Sequence, residues 1–399
     1  MSPIAFGSLE RLRAGFPALE RGAYLSICDK AILHNQVRAA VETFLDRLAS
    51  GTCSRVEHEV LVNASRARFA ALVSATPGEV AISRNVSDGI NAVIWALDWQ
   101  EGDNAVISLD LEHPNNVYPW LRLRKRGVEL RNIPSVDGRL DYEAMTGALD
   151  GRTRMLSCAS VSFAPGYRAD LERLGRAARA RDVLFLVDGV QSAGILRHDF
   201  DAERVDAFAT STSKGLLGLY GYGFLYLAER WIDRLEPAYL SRPAIALDND
   251  DASATGSYDY QLQPDARRFE VGSYNVAGAY AADAALALLD LAGAERVETH
   301  ALAVAATLRE ELAAAGLAEV STATGPTEAS HLVTAGPLDA GGHGFSETPW
   351  VEALSAQLTE AQVVHTVRRG QLRFATHFYN SDADTRLVLD VLRSWRGAA

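Results

Sequence analysis

Asp170-Leu-Glu-Arg-Leu-Gly-Arg-Ala-Ala-Arg-Ala180, followed after two residues by Val183-Leu-Phe-Leu-Val187 and then Asp188-Gly-Val-Gln191, sets a helix with one polar face against a short run that is apolar on both faces. A strand buried on both faces belongs inside a parallel sheet covered by helices. The same alternation extends from about residue 60 to 230 and predicts a parallel sheet with helical crossovers. The clearest strands are Ala105–Leu109, Met155–Ala159, Val183–Val187 and Phe224–Leu227, with helices over Asp88–Leu97, Pro119–Arg126 and Asp170–Ala180. Residues 236–266, rich in Pro, Gly and Asp, read as a covering loop. From Phe269 a second unit follows, with helices over Ala277–Ala292 and Ala294–Ala315. It ends in a small α/β pattern: strands His331–Thr334, Val363–Val367 and Gln371–Thr376, and helices Pro349–Leu358 and Asp382–Trp395. The expected division is an N-terminal segment 1–20, a large domain 21–268 and a C-terminal part 269–399.

In such sheets ligands gather at the carboxyl ends of the strands, and one lysine stands there. Lys214 lies in Asp206-Ala-Phe-Ala-Thr-Ser-Thr-Ser-Lys214-Gly-Leu-Leu-Gly218, in a chain whose other lysines are Lys30 and Lys125 alone. Arginine carries the rest of the positive charge. Arginine stays protonated, whereas a lysine amine can be tuned until it attacks a carbonyl.

Composition narrows the function classes. With 399 residues and 48% hydrophobic content the chain can bury a large core. A formal net charge of -12 argues against a nucleic-acid partner, which needs a basic field. No apolar run approaches membrane-spanning length and no signal-peptide pattern opens the chain, so a cytoplasmic protein is expected. Cys28, Cys53 and Cys158 are odd in number and lack CxxC spacing, which disfavours disulfides and a metal site.

Around Lys214 other strand-end residues fall into place. Asp188 could pair with a protonated heterocycle nitrogen, and Gln191 could donate to a phenolate oxygen. His113, in Leu-Glu112-His113-Pro-Asn-Asn116, could stack on a flat ligand. Ser87, with the Val86 backbone, stands where a helix N-terminus holds an anion, and Ser211 and Ser213 could complete a phosphate cup. Each residue alone reads as a helix cap or a hydrogen-bonded side chain. Together they describe a site for pyridoxal phosphate.

The chain resembles fold-type I pyridoxal-phosphate enzymes of the aminotransferase class V group, which holds cysteine desulfurases, cystine lyases and isopenicillin N epimerase-like proteins. The resemblance spans about residues 20–395. It implies an α/β fold, with a large domain built on a mainly parallel seven-stranded sheet flanked by helices and a small C-terminal α/β domain. It makes Lys214 the Schiff-base lysine, Asp188 the pyridinium partner, Gln191 the contact to the phenolic oxygen and His113 the stacking ring, with Val86, Ser87, Ser211 and Ser213 on the phosphate. Arg268-Phe-Glu-Val-Gly-Ser273-Tyr-Asn275 resembles the segment whose hydroxyl reaches the neighbouring subunit's phosphate, so Ser273 implies a homodimer with shared sites. Val367-Arg368-Arg-Gly-Gln-Leu-Arg373-Phe-Ala-Thr-His377-Phe-Tyr-Asn380 resembles the family's closing phrase. Arg373 would clamp the substrate α-carboxylate, with Arg368, Cys28 and Lys30 as further substrate contacts.

Departures from the family bear on the reaction. Between Pro349 and Arg373 there is no cysteine, whereas desulfurases carry their persulfide cysteine on a loop there. Ser213 replaces the usual histidine before the lysine, Phe163 an asparagine near the cofactor's oxygen, and Tyr24-Leu-Ser-Ile-Cys28-Asp-Lys30-Ala an Asn/Ala/Gly phrase. The expected function is a lyase cleaving the C–S bond of a cysteine S-conjugate by Cα deprotonation and β-elimination, in specialised metabolism of the lincosamide kind. Aminotransferase, epimerase or decarboxylating oxidative deaminase activity is the alternative; a non-catalytic homologue would have no use for Lys214, Asp188 and Arg373 together.

Overall fold

The computed structural model describes residues 7–246, 260–317 and 327–395. Its centre is a seven-stranded sheet built from β1 (Val80–Ser83), β2 (Asn104–Ile107), β3 (Glu129–Asn132), β4 (Thr153–Ala159), β5 (Leu184–Asp188), β6 (Ala207–Ser211) and β7 (Gly223–Leu227), in the order β1-β7-β6-β5-β4-β2-β3. Only β7 runs against its neighbours, pairing antiparallel with β1 and β6, while the other pairs are parallel. The six remaining strands therefore end on one edge. The turn into β7 arrives at that edge too, where Ser83 and Ser211 both lie opposite Gly223. A Cβ on Gly223 would come within 2.4 Å of the Thr210 carbonyl oxygen, so the close approach of these strands requires glycine.

Helices cover the sheet: α1 (Asn35–Ser50), α2 (Arg55–Leu72), α3 (Val86–Ile94), α4 (Pro114–Leu123) and α5 (Leu171–Arg179). β4 to β6 are buried almost throughout, as strands covered by helices on both faces are. After the sheet come α6 (Val276–Ala292), packed on α1 and α2, and α7 (Ala294–Ala314). The chain closes with a three-stranded antiparallel sheet of β8 (Leu332–Ala335), β9 (Thr366–Arg368) and β10 (Gln371–Ala375), flanked by α8 (Pro349–Glu360) and α9 (Asp382–Ser394). Leu308, Val351, Phe374 and Val388 join a second hydrophobic cluster there, shared with Ala23 and Leu25. Among the described residues no single helix is long and apolar enough to cross a membrane.

The expected α/β architecture holds, with local corrections. The helix expected over Pro119–Arg126 is α4, which starts earlier because His113 caps it and Pro114 suits its first turn; residues Arg124–Arg126 form a separate 3-10 turn. The strand expected over Val363–Val367 is two: Val363–Val364 pairs in parallel with Ala23–Tyr24, and β9 pairs antiparallel with β10. Part of the expected covering loop, residues 247–259, lies outside the described residues.

Asp206 shows what locks the sheet. Fully buried, its carboxylate accepts the Phe185 N–H at 3.0 Å and both arms of Arg230 at 2.8 and 2.7 Å. Asp206→Ala would leave the buried Phe185 amide without its acceptor and the part-exposed Arg230 guanidinium with Asp182 as its carboxylate partner, 3.2 Å away. The expected cost is about 1–3 kcal/mol, read as a fall in the urea midpoint; an unchanged midpoint would show the contact to be dispensable.

Candidate active site

The central candidates reach the common edge because they end or closely follow strands of the large sheet. Asp188 is the last residue of β5 and is 5% exposed. Its Oδ1 accepts the Val190 N–H at 3.0 Å, while Oδ2 has no protein partner among the described residues. Burial pushes this carboxyl up to about 6, against the pull of the Val190 amide and the Lys214 charge. Gln191 donates from Nε2 to the Cys28 carbonyl at 3.1 Å, and its buried Oε1 meets no partner.

Lys214 follows β6 by three residues, in a turn closed by Thr212, whose hydroxyl donates to the Leu219 carbonyl at 2.6 Å, and by the Leu217 N–H donating to the Lys214 carbonyl at 2.8 Å. Gly215 must be glycine, since a Cβ there would sit 2.4 Å from the Ala193 carbonyl oxygen. Burial lowers the Lys214 amine, and Arg373 lowers it further, with Asp188 opposing.

The phosphate candidates assemble at the start of α3. Asn85 caps the helix by accepting the Asp88 N–H at 3.0 Å, and the Val86 N–H donates to Ser211 Oγ at 2.9 Å. A helix start beside hydroxyls suits a phosphate. His113 caps α4, accepting the Asn115 N–H at Nδ1 (3.2 Å), and its ring stands edge-on to Phe163 at 5.3 Å. Burial of the ring, helped by Lys214 and Arg373, lowers it to about 4, so the ring is neutral at pH 7.

Val86, Ser87, His113, Asp188, Ser211, Ser213 and Lys214 all line one cavity of about 670 Å³, which also takes in Trp95, Tyr118, Arg122 and Tyr220. Its residues fit pyridoxal phosphate. An anion cup lies at one end, a buried carboxylate with a free oxygen waits for a cationic ring nitrogen, and an amine with a lowered pKa can take the aldehyde.

The substrate candidates are placed differently from one another. Arg373, 2% exposed, donates from Nε to Thr366 Oγ1 (3.0 Å) and from Nη1 to the Phe163 carbonyl (2.6 Å); Nη2 has no protein partner among the described residues. Arg368 is paired with Asp29 at 3.0 Å, a carboxylate that sequence reading passed over. Cys28 is buried beside Gln191. Lys30 and Ser273 are exposed and stand outside the lining of this cavity. The segment between Pro349 and Arg373 is filled by α8, the short Val363–Val364 strand and the β9–β10 hairpin. That hairpin turns on Arg369 and Gly370, with φ of 49° and 81°.

A family model described as aminotransferase class-V matches residues 31–336. An uncharacterized aminotransferase, YcbU, of Bacillus subtilis (strain 168) is 29% identical over 384 residues, 96% of each chain. A cysteine desulfurase of Dickeya dadantii (strain 3937) is 31% identical over 339 residues, covering 80% of this chain and 79% of that protein. Among solved structures, the apo cysteine desulfurase of Thermococcus onnurineus NA1 superposes with a TM-score of 0.81 at 22% identity, over 99% of this chain and 100% of that one. The cystine C-S lyase C-DES, in complex with its reaction product cysteine persulfide, does so with a TM-score of 0.81 at 24% identity, over 94% and 99%. At these identities the structural likeness establishes the fold.

Proposed function

The chain belongs to the aminotransferase class-V family of pyridoxal-phosphate-dependent enzymes, and on that premise we propose that it cleaves the C–S bond of a cysteine S-conjugate by β-elimination, as a cytoplasmic homodimer serving specialised metabolism of the lincosamide kind. The observation that carries this reading is the β9–β10 hairpin. Where desulfurases extend a cysteine-bearing loop, this chain turns within two residues, Arg369 and Gly370, between paired Arg368 and Gln371. No thiol can reach the substrate from that side.

Bound pyridoxal phosphate supplies an electron sink for charge developing at Cα. The chain's own groups do the rest. Lys214 would anchor the cofactor and, as a free amine, would take the Cα proton. Asp188 would hold a proton on the ring nitrogen, and the second N–H of Gln191 Nε2 would serve the ring oxygen. Val86, Ser87, Ser211 and Ser213 would hold the phosphate, His113 would cover the ring, and Arg373 would fix the α-carboxylate. As the Cα proton moves to Lys214, the Cβ–S bond breaks with its electron pair leaving on sulfur. The released three-carbon fragment hydrolyses to pyruvate and ammonia. Ser273, exposed and away from this cavity, is assigned to the neighbouring subunit's phosphate. Arg368 and Lys30 are assigned to the substrate's distal end.

Purified holoenzyme, given a panel of S-substituted cysteines, should release thiol, pyruvate and ammonia in equal amounts. Cys28→Ser should retain this activity within about threefold, because elimination needs no enzyme thiol. Alanine as the carbon product, abolished in Cys28→Ser, would instead make Cys28 a sulfur acceptor. Deuterium entering Cα of unconsumed substrate, or a keto acid that keeps the sulfur, would favour the epimerase or aminotransferase alternative.

A further inference from the structure

Beneath the loop carrying Asp188 and Gln191 runs a chain of buried polar side chains that the reaction does not touch. Ser160 Oγ lies 3.1 Å from the Asp188 carbonyl oxygen and 2.6 Å from Ser192 Oγ. Ser192 Oγ is 3.3 Å from the Gly189 carbonyl and 2.8 Å from His198 Nε2. His198 Nδ1 lies 3.1 Å from both carboxylate oxygens of Glu203, and its ring is wedged beside Phe200 and Phe208 at 5.6 and 5.1 Å. Ser192, His198 and Glu203 border a second cavity of about 680 Å³, which shares no lining residue with the one around Lys214.

A serine, histidine and glutamate at these spacings also describe a hydrolytic triad. Two facts oppose that use. Ser192 is fully enclosed, and its N–H and that of Ala193 both donate to the Gly189 carbonyl, at 3.1 and 2.9 Å, leaving neither for an oxyanion. What the chain does hold is the peptide backbone from Asp188 to Gly189. Gly189 itself has no room for a side chain, because a Cβ would sit 1.7 Å from the Phe208 ring. The loop therefore rests on hydrogen bonds from below.

We propose that His198 and Glu203 are positioning residues, acting through Ser192 and Ser160 to fix the Asp188 carbonyl and so the aim of the Asp188 carboxylate and the Gln191 amide at the cofactor. The inference rests on the reading above that Asp188 faces the ring nitrogen. Each hydroxyl has one proton to give: with His198 Nε2 donating to Ser192, Ser192 can donate to Ser160 Oγ and Ser160 to the Asp188 carbonyl, so every link of the chain carries a hydrogen. Supporting partners of this kind hold a site's geometry without entering the chemistry.

The test titrates pyridoxal phosphate into the apo forms of wild type, His198→Ala, His198→Gln, Glu203→Gln and Asp188→Asn. Binding is read by quenching of tryptophan fluorescence, Trp95 being in the cavity wall, and geometry by the visible circular dichroism of the bound cofactor. Thermal midpoints of the apo forms are recorded alongside. His198→Ala should raise the cofactor Kd roughly tenfold or more, the scale of a lost buried hydrogen bond, and reduce the dichroic band. His198→Gln, which can still reach Ser192, should restore most of both. If His198→Ala lowers only the thermal midpoint while Asp188→Asn impairs binding, the positioning role falls and the Asp188 reading stands. If Asp188→Asn also binds normally, the Asp188 reading falls with it. Labelling of Ser192 by a fluorophosphonate would overturn the proposal in favour of a hydrolytic site. Should His198→Ala fail to fold, His198→Gln against Glu203→Gln decides: equal, unchanged Kd and dichroism in both would refute it.

Discussion

Lys214→Ala protein, purified with excess pyridoxal phosphate, is expected to show no visible absorption of lysine-bound cofactor, to lose its cofactor on dialysis, and to turn over at least about 10⁴-fold more slowly than wild type. Two functions vanish with one amine. The covalent hold on the cofactor goes, and so does the base at Cα. The surroundings of Lys214 argue that both functions are built in. Burial and Arg373 lower the amine, so a neutral nucleophile is reached at a lower pH than a solvated lysine would allow. Lys214→Arg should be as inactive as the alanine form, because a guanidinium keeps its proton. Small primary amines added to Lys214→Ala should recover part of the proton transfer but not the covalent attachment. An unchanged visible band in Lys214→Ala would remove Lys214 from the centre of the site.

The residues that could be read from sequence are those whose environment is set by their own strand. Asp188 ends an apolar run, Ser211 ends another, and Lys214 follows within three residues, so local pattern places all of them on one edge. Three strands of the sheet escaped, the five-residue Ala207–Ser211 among them. Val80–Ser83 is only four residues long, and Glu129–Asn132 is a half-exposed edge strand of mostly polar residues that shows no apolar alternation. Contacts made across the chain escaped as well. Asp29 meets Arg368 at a separation of 339 residues, and the Phe163 carbonyl meets Arg373 at 210. No spacing rule reaches that far. Phe163 is instructive: at the level of sequence it is a missing asparagine, whereas in the structure its carbonyl accepts from Arg373 and its ring stands edge-on to His113. The support chain under Asp188 was equally silent, because a serine and a histidine six residues apart resemble any other loop.

Arg373→Met is expected to lower kcat/KM about a thousandfold while leaving the apo protein as stable as wild type, or more so. A guanidinium taken out of water costs several kcal/mol unless a carboxylate meets it. Arg373 is 2% exposed, and its protein partners are a hydroxyl and a carbonyl; no carboxylate pairs with it among the described residues. Burial, with Arg368 nearby, already lowers it from the ordinary arginine range, the sign of a cation held under electrostatic tension. Such a residue is a liability to the empty fold and an asset to the substrate complex. On the proposed reading the α-carboxylate would supply the missing partner, and losing a buried charged contact of that kind costs about 2–5 kcal/mol, which brackets the thousandfold loss. Arg373→Lys should recover little, since an ammonium cannot span Thr366, Phe163 and a carboxylate with one planar fork. Urea midpoints of the apo forms, set beside kcat/KM for an S-substituted cysteine and for its decarboxylated amine, decide the matter. The amine has no carboxylate to lose, so wild type and Arg373→Met should handle it alike. A variant that is markedly less stable, and equally impaired toward both compounds, would make Arg373 a structural residue and remove it from the substrate.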